Sequence, residues 1–229
     1  MNYVYLLCIS KYFFMSEQSQ PLEELQHIKK MMERSSRFIS LSGLSGIAAG
    51  ICALIGAWFA YKIIGGNSGF YRHKYDISAK SGFDNLHDFM GHSLFMIALF
   101  TFAGAFLFAF LFTYLRSKRN NIPMWGSVSK RLLIAIAVPM IAGGIYLYRE
   151  IEMGNVGLIA PGSLIFYGLA LINGSKYTLG EIKYLGYAQV LLGIISCWMI
   201  GFGLYFWAVG FGILHIVYGI VMWYKYERA

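Results

Sequence analysis

The sequence predicts an all-α membrane protein: a six-helix transmembrane bundle preceded by an N-terminal amphipathic helix. Two observations lead to this fold class. Hydrophobic residues make up 58% of the 229-residue chain and charged residues only 13%, about half the charged share of soluble domains. The chain also contains a run of 41 residues, Tyr184 to Tyr224, without Asp, Glu, Lys or Arg. A straight helix of that length would reach roughly twice the ~30 Å hydrocarbon core of a bilayer, so the run must fold back on itself.

The uncharged run is predicted to turn at Gly201-Phe202-Gly203, which leaves two segments that are each long enough to span once. Four further apolar runs complete six predicted spans, at about residues 39–61, 89–115, 132–148, 156–175, 184–202 and 203–224 of the transmembrane domain 39–229. Pro139, followed by Gly143-Gly144, is predicted to interrupt the third span, which is the shortest, and Pro161-Gly162 the fourth. Interrupted helices form substrate sites in transporters, but prolines that neighbouring helices repack are also common in membrane helices.

The net charge of +8 predicts a membrane topology and no nucleic-acid partner, because the basic residues lie at the ends of the spans. If the N-terminus is cytoplasmic, 14 of the 19 Lys and Arg residues fall inside and 5 outside. An excess of basic residues marks the cytoplasmic side, so both termini are predicted to be cytoplasmic. The expected partner is the lipid bilayer, and no cofactor is expected.

The segment before the first span divides into two parts. Residues 1–20 are predicted to be disordered or an extension from an upstream start codon, since Met15 is a more natural start. Residues 21–38 place apolar side chains every three to four positions, which predicts an amphipathic helix. This helix either lies on the inner membrane face or pairs two copies of the chain as a short coiled coil.

Small residues are predicted to form flat faces on the first two spans. Gly46 and Gly50 have the spacing that lets helix backbones approach closely in lipid. The second span has small residues at four-residue intervals, among many phenylalanines: Thr101, Ala105, Ala109 and Thr113. We expect both small faces to contact helices and the phenylalanines to face mostly lipid. The small face of span one and the helix 21–38 are also the predicted surfaces for a homo-oligomer or a protein partner.

Two segments carry a family resemblance. Residues 32–46, MERSSRFISLSGLSG, and residues 211–219, FGILHIVYG, resemble a group of short, uncharacterised multi-span proteins of Bacteroidota. The similarity covers about Pro21 to Arg228. It implies a bacterial inner membrane, and because those proteins have no assigned activity it transfers no catalytic residue to this chain.

The richest polar cluster precedes the second span. Asp84, Asp88 and His92 recur at four-residue intervals, which would place them on one helical face, and His87 lies one turn from Asp84. Two carboxylates and an imidazole on one face could bind Zn²⁺ or another divalent cation. The alternative is structural: Asp84 caps the second helix, Asp88 favours the positive end of its dipole, and His92 lies at headgroup depth.

His215 lies near the middle of the sixth span, where polar side chains usually face protein or water. A functional His215 would relay protons, ligate a haem or contact a substrate. A structural His215 would be a neutral imidazole bonded to a neighbouring helix. The candidate partners in that case are Gln189, Ser196 and Ser163.

Three functions agree with these features. The favoured hypothesis is a non-enzymatic scaffold, sensor or accessory membrane subunit. The alternatives are a small transporter or channel for a neutral or apolar solute, and a metal- or haem-dependent membrane enzyme subunit. Ion-coupled transport is disfavoured, because the predicted spans contain no Asp, Glu, Lys or Arg. The sequence also lacks the common motifs of metalloproteases, α/β-hydrolases and phosphate-binding loops, so no catalytic residue is predicted.

Overall fold

The computed structural model describes residues 43–66, 93–119 and 126–226. Those ranges are helical and contain no strand, which confirms the predicted all-α membrane bundle. The six helices are α1 (Gly43–Gly66), α2 (Ser93–Arg119), α3 (Ser127–Glu152), α4 (Ile159–Gly174), α5 (Ile182–Trp198) and α6 (Gly203–Tyr226). The predicted segments 1–20 and 21–38 lie outside the described residues.

Five of the described helices are long and apolar enough to cross a membrane, counting α4 together with the 3₁₀ turn Val156–Leu158 before it. The remaining helix, α5, has 17 residues, which at 1.5 Å per residue reach about 25 Å. Several helices continue past their apolar runs. α3, for instance, has 26 residues and includes Lys130 and Arg131 near one end and Arg149 near the other. A spanning helix tolerates these residues near its ends because long basic side chains can carry their charge to the interface.

Neither proline breaks a span in the described structure. Pro139 lies inside α3, which continues on both sides of it over its full length, so the predicted interruption of the third span is wrong. Pro161 is the third residue of α4, so the predicted interruption of the fourth span is wrong. The reason is the position of the helix start, because the first turn of a helix has no intrahelical partners for its backbone N–H groups and tolerates proline.

Glycines bring α1 and α6 into backbone contact. A Cβ atom on Gly50 would lie 2.7 Å from the carbonyl oxygen of Gly212, and a Cβ on Gly219 would lie 2.6 Å from the carbonyl oxygen of Gly43. Gly46 faces Gly219 in the same way. The small face of α1 is therefore covered by α6 of the same chain, as expected of a helix contact, and a partner would have to use another surface.

A second glycine contact joins α4 to α5. A Cβ on Gly168 would lie 2.7 Å from the carbonyl oxygen of Gly186, and a Cβ on Gly186 would lie 2.8 Å from that of Gly168. Close backbone approach of this kind gains dispersion energy in lipid, where apolar burial barely drives helix association. The two pairs, α1 with α6 and α4 with α5, meet along α6, which also contacts α4 and α5.

The small residues of α2 form its contact face. Thr101 lies against Gly56 of α1, and Thr113 is buried. Most phenylalanines of α2 are exposed, for example Phe100 with 68% of its surface. The predicted division of α2 into a helix-facing ladder and a lipid-facing aromatic surface agrees with this arrangement.

The connection between α5 and α6 is a tight turn over residues 199–202. Gly201 has φ 111°, in the left-handed region where a side chain is disfavoured. The turn lies where the sequence places it, and it brings α5 and α6 together as a hairpin.

Candidate functional site

The polar centre of the bundle lies beside a π-helical segment of α6. Residues Ala208–Leu214 form this segment between two α-helical parts, Gly203–Trp207 and His215–Tyr226. A π-helix is wider than an α-helix and occurs frequently at functional sites. It contains Gly210 and Gly212, both buried. The segment is thus the place where α6 departs from regular geometry in the middle of the bundle.

His215 begins the second α-helical part and is bonded through both ring nitrogens. Nε2 lies 2.8 Å from the hydroxyl oxygen of Tyr167 on α4, and Nδ1 lies 3.0 Å from the carbonyl oxygen of Gly210. A carbonyl oxygen only accepts, so Nδ1 carries the proton. In the neutral imidazole Nε2 then accepts a hydrogen bond from the Tyr167 hydroxyl. His215 is only 7% exposed, and its geometry is that of a neutral, internally bonded histidine.

Gln189 of α5 binds the same carbonyl group. Its Nε2 donates to the Gly210 oxygen over 2.8 Å, so one oxygen accepts from both Gln189 and His215. Gly210 makes this approach possible, because a Cβ there would lie 2.6 Å from Oε1 of Gln189. Side chains of α5 and α6 therefore converge on one backbone carbonyl, and Tyr167 of α4 joins this cluster through His215.

Aromatic rings surround the histidine. Phe211 stacks on His215 with ring centroids 6.0 Å apart, and the centroids of Tyr167 and Phe211 are 5.0 Å apart. Trp207 extends the row one turn further along α6, 5.2 Å from Phe211. Leu164 of α4 is fully buried nearby, against Gly210. This environment disfavours a charged imidazole, because burial among apolar rings removes the solvation of the charge.

Three buried polar atoms among the described residues have no hydrogen-bond partner: Gln189 Oε1, Ser196 Oγ and Tyr218 OH. Gln189 and Ser196 are fully buried. Unpaired polar groups are costly in an apolar interior, and they are often associated with function or with bound water. These three unpaired atoms favour the hypothesis that the bundle binds a solute.

A second polar group closes one end of the bundle. The Glu181 carboxylate, just before α5, accepts hydrogen bonds from Lys225 Nζ (2.6 Å) and the Tyr226 hydroxyl (2.7 Å) at the end of α6. Burial alone would raise the pKa of Glu181, but the bonds from Lys225 and Tyr226 outweigh it and hold that pKa below its ordinary value.

The sequence-predicted residues meet different outcomes. Asp84, Asp88, His87 and His92 lie outside the described residues. Of the partners predicted for His215, Ser163 instead donates to the Ala160 carbonyl over 2.8 Å. The other two do not bond the histidine either, since Gln189 shares its carbonyl acceptor and Ser196 Oγ is unpaired.

The residue that sequence reasoning missed is Tyr167, the direct partner of His215 from a position 48 residues earlier. A signal was present. Tyr167 lies inside the apolar run of the fourth span, away from the interfaces where tyrosine is common. A tyrosine at that depth requires a partner for its hydroxyl, and the midspan histidine of α6 is the matching group.

The arrangement leaves no free nitrogen for a metal. Haem or metal ligation by His215 would have to displace either Tyr167 or Gly210 from the ring. Within residues 43–66, 93–119 and 126–226, no group of three or more His, Cys, Asp or Glu side chains could hold a metal ion.

Comparisons with protein-family models, with curated proteins and with solved structures give no significant match for this chain.

Proposed function

We propose that this chain is a non-enzymatic integral membrane protein that acts through contacts within the bilayer, as a scaffold, sensor or accessory subunit. It would cross a bacterial inner membrane six times, with both termini cytoplasmic. The resemblance to proteins of Bacteroidota and the distribution of basic residues support this location and topology. At about 25 Å, α5 would cross as the fifth of these six spans, with slight local thinning of the bilayer.

The observation that carries the proposal is the closed state of the central polar site. His215 is buried and bonded on both nitrogens, and two of its neighbours on other helices are bound into the same cluster. A solute site needs polar groups that can exchange their partners with the solute. Here the imidazole is bonded to Tyr167 of α4 and the Gly210 carbonyl to Gln189 of α5, so the cluster fixes these helices against α6.

A small transporter or channel for a neutral solute is the second candidate. The π-helical segment of α6 and the unpaired Gln189 Oε1 favour it, since irregular helices near the midplane form substrate sites in transporters. The two functions differ in one measurable property: whether water reaches the cluster from either side.

Cysteine labelling measures that property. In a chain carrying C8S, C52A and C197A, single cysteines replace Ser196, His215 or, as an exposed control, Lys176. The Ser196→Cys change is nearly isosteric, so this variant still measures the access of water to the buried site if His215→Cys destabilises the fold. A charged, membrane-impermeant maleimide should label a cysteine at position 176. Cysteines at positions 196 and 215 should react with it at least about 100-fold more slowly. Labelling of either buried position at a rate close to that of position 176 would support transport and refute the closed scaffold.

A scaffold also requires a partner. Native mass spectrometry of the chain extracted gently from its own membrane should show a defined complex with a second protein. A chain that is recovered only as a monomer under those conditions would contradict the proposal.

A further inference from the structure

α3 contains a proline in its interior and is nevertheless one continuous helix. Proline has no backbone N–H, so Pro139 cannot donate to the carbonyl oxygen four residues before it. In α3 that oxygen belongs to Ala135, a buried residue. A backbone carbonyl without a partner is costly in the hydrocarbon region, so α3 needs another donor at this point.

Asn173 of α4 supplies that donor. Its side-chain Nδ2 donates to the Ala135 carbonyl oxygen over 2.8 Å. A carbonyl oxygen only accepts, so the bond requires the amide nitrogen of Asn173. A side chain of α4 thus replaces the hydrogen bond that Pro139 removes from α3.

After Pro139, α3 packs closely along α4. A Cβ on Gly143 of α3 would lie 2.5 Å from the Cβ of Phe166, and a Cβ on Gly162 of α4 would lie 2.8 Å from Leu147. The two contacts run in opposite directions along the two chains, so the helices are antiparallel. This half of α3 is therefore seated on α4 by direct backbone-to-side-chain contact.

Before Pro139, α3 reaches the end of α4. Gly174 is the last residue of α4, and a Cβ on it would meet Ile136 and Leu132. In this antiparallel register, residues 127–131 lie beyond the last turn of α4. Within the described residues, no other α-helix makes an extended contact with α3. The bond from Asn173 lies at the point where the contact between α3 and α4 ends.

We infer that residues 127–138 form an arm that pivots at Pro139, and that the bond from Asn173 to the Ala135 oxygen is its latch. Prolines are the commonest places at which helices bend. With the latch closed, the arm lies against the end of α4 as observed. With the latch open, the turn before Pro139 has lost both its backbone donor and the replacement. The arm carries Lys130 and Arg131, so its movement displaces two positive charges at the end of the bundle.

A double-mutant cycle tests the latch. N173L removes the donor and keeps a side chain of similar size. In reversible unfolding by dodecyl sulfate, it should raise the equilibrium constant for unfolding about 3- to 18-fold, the range that corresponds to interhelical hydrogen bonds of about 0.6–1.7 kcal/mol. In a P139A background the rise should be less than about 2-fold, because residue 139 then donates its own N–H to the Ala135 oxygen.

The matched control for the cycle is S175A. The Ser175 hydroxyl lies two residues from Asn173, and its bond to the Ile172 carbonyl oxygen, at 2.6 Å, does not involve α3. This variant should therefore have the same effect in the parent and in the P139A background.

Distances between spin labels test the pivot, in the full chain carrying C8S, C52A and C197A and held in lipid nanodiscs. One pair of labels replaces the exposed residues Lys130, on the arm, and Leu191, on α5. The control pair joins Leu191 to Ile145, which is exposed on the other half of α3. Position 130 is about 14 Å from Pro139 along the helix, so a bend of about 20° moves it about 5 Å.

N173L should therefore shift or broaden the distance distribution of the 130–191 pair by about 5 Å and leave that of the 145–191 pair unchanged. P139A/N173L should restore the parent distribution, since the backbone bond then holds the arm.

Three results would overturn the inference. An equal effect of N173L in the two backgrounds would show that Asn173 does not replace the missing backbone donor. An unchanged 130–191 distribution in N173L would show that the bond is present but that the arm does not pivot. Equal changes in the two label pairs would show that α3 moves or unfolds as a whole. None of these residues belongs to the His215 cluster, so each outcome leaves the proposed function untouched.

Discussion

Replacing Tyr167 by phenylalanine tests the central cluster by the removal of one oxygen atom. The ring and its contact with Phe211 remain, but Nε2 of His215 loses its partner at 2.8 Å. An unsatisfied buried acceptor costs about 1–3 kcal/mol in soluble proteins, whereas interhelical hydrogen bonds in membranes average about 0.6 and reach about 1.7 kcal/mol. We expect a loss of about 1 kcal/mol, which is roughly a fivefold change in the ratio of folded to unfolded protein.

The measurement is reversible unfolding by dodecyl sulfate in mixed micelles, with the free energy of unfolding taken from the transition. The matched control is Tyr187→Phe, the same deletion on α5 at a side chain that is 54% exposed. That variant should stay within about 0.5 kcal/mol of the parent, as surface changes usually do.

A double-mutant cycle separates the hydrogen bond from other effects of the substitution. If Tyr167 and His215 are bonded, Tyr167→Phe should cost about 0.6–1.7 kcal/mol less in a His215→Leu background than in the parent. A coupling energy near zero, or an equal loss in Tyr187→Phe, would refute the assignment of this pair as the centre of the bundle.

Three further predictions use the same unfolding assay. Gly50→Ala should lower the free energy of unfolding by about 1–3 kcal/mol, because its Cβ would lie 2.7 Å from the Gly212 carbonyl oxygen. The control Gly144→Ala, whose Cβ would meet nothing within 4 Å, should be neutral or slightly stabilising. Equal losses in the two variants would contradict the backbone contact. Ser196→Ala should be neutral or stabilising because its hydroxyl is buried without a partner, and a clear loss would reveal a bound water or ligand. Glu181→Gln should cost roughly 0.2–1 kcal/mol at pH 7, since the pair with Lys225 is partly exposed. The folded-state pKa of Glu181 is lowered, so the stabilisation by its carboxylate is present above the ordinary carboxyl pKa and disappears as the pH falls through the folded-state pKa. A stability difference between the parent and Glu181→Gln that persists in acid would contradict the ion pair.

The spans could be predicted because their signal is local. A run without charges over about 20 residues has no place in a soluble fold, and each predicted span overlaps a helix of the described structure. The ends of the helices and the effect of Pro161 could not be read in the same way. They depend on where the first turn begins, and the charged residues that bound an apolar run can still lie inside the helix, as Lys130 and Arg131 do.

Of the hydrogen-bonded pair His215 and Tyr167, only His215 could be predicted from the sequence. His215 was found because a lone histidine in a charge-free span is conspicuous, but its partner depends on which helices are neighbours, and that is a property of the folded bundle. The glycines gave partial information. A faint repeat in the sequence, Tyr167-Gly168 and Tyr218-Gly219, has a physical basis, since Gly168 and Gly219 each meet the backbone of a neighbouring helix.

The Gly210 carbonyl explains why these contacts fix one arrangement. Apolar side chains can slide past each other in lipid at little cost, because the surrounding acyl chains are equally apolar. A shift of α4 by one turn along α6 would break the bond from Tyr167 to His215, and the same shift of α5 would break the bond from Gln189 to the Gly210 oxygen. The cost of leaving those groups unpaired in an apolar interior selects the observed register. A bundle whose register is fixed at its centre, while α2 and α3 remain widely exposed, is suited to presenting constant outer surfaces to other molecules in the membrane.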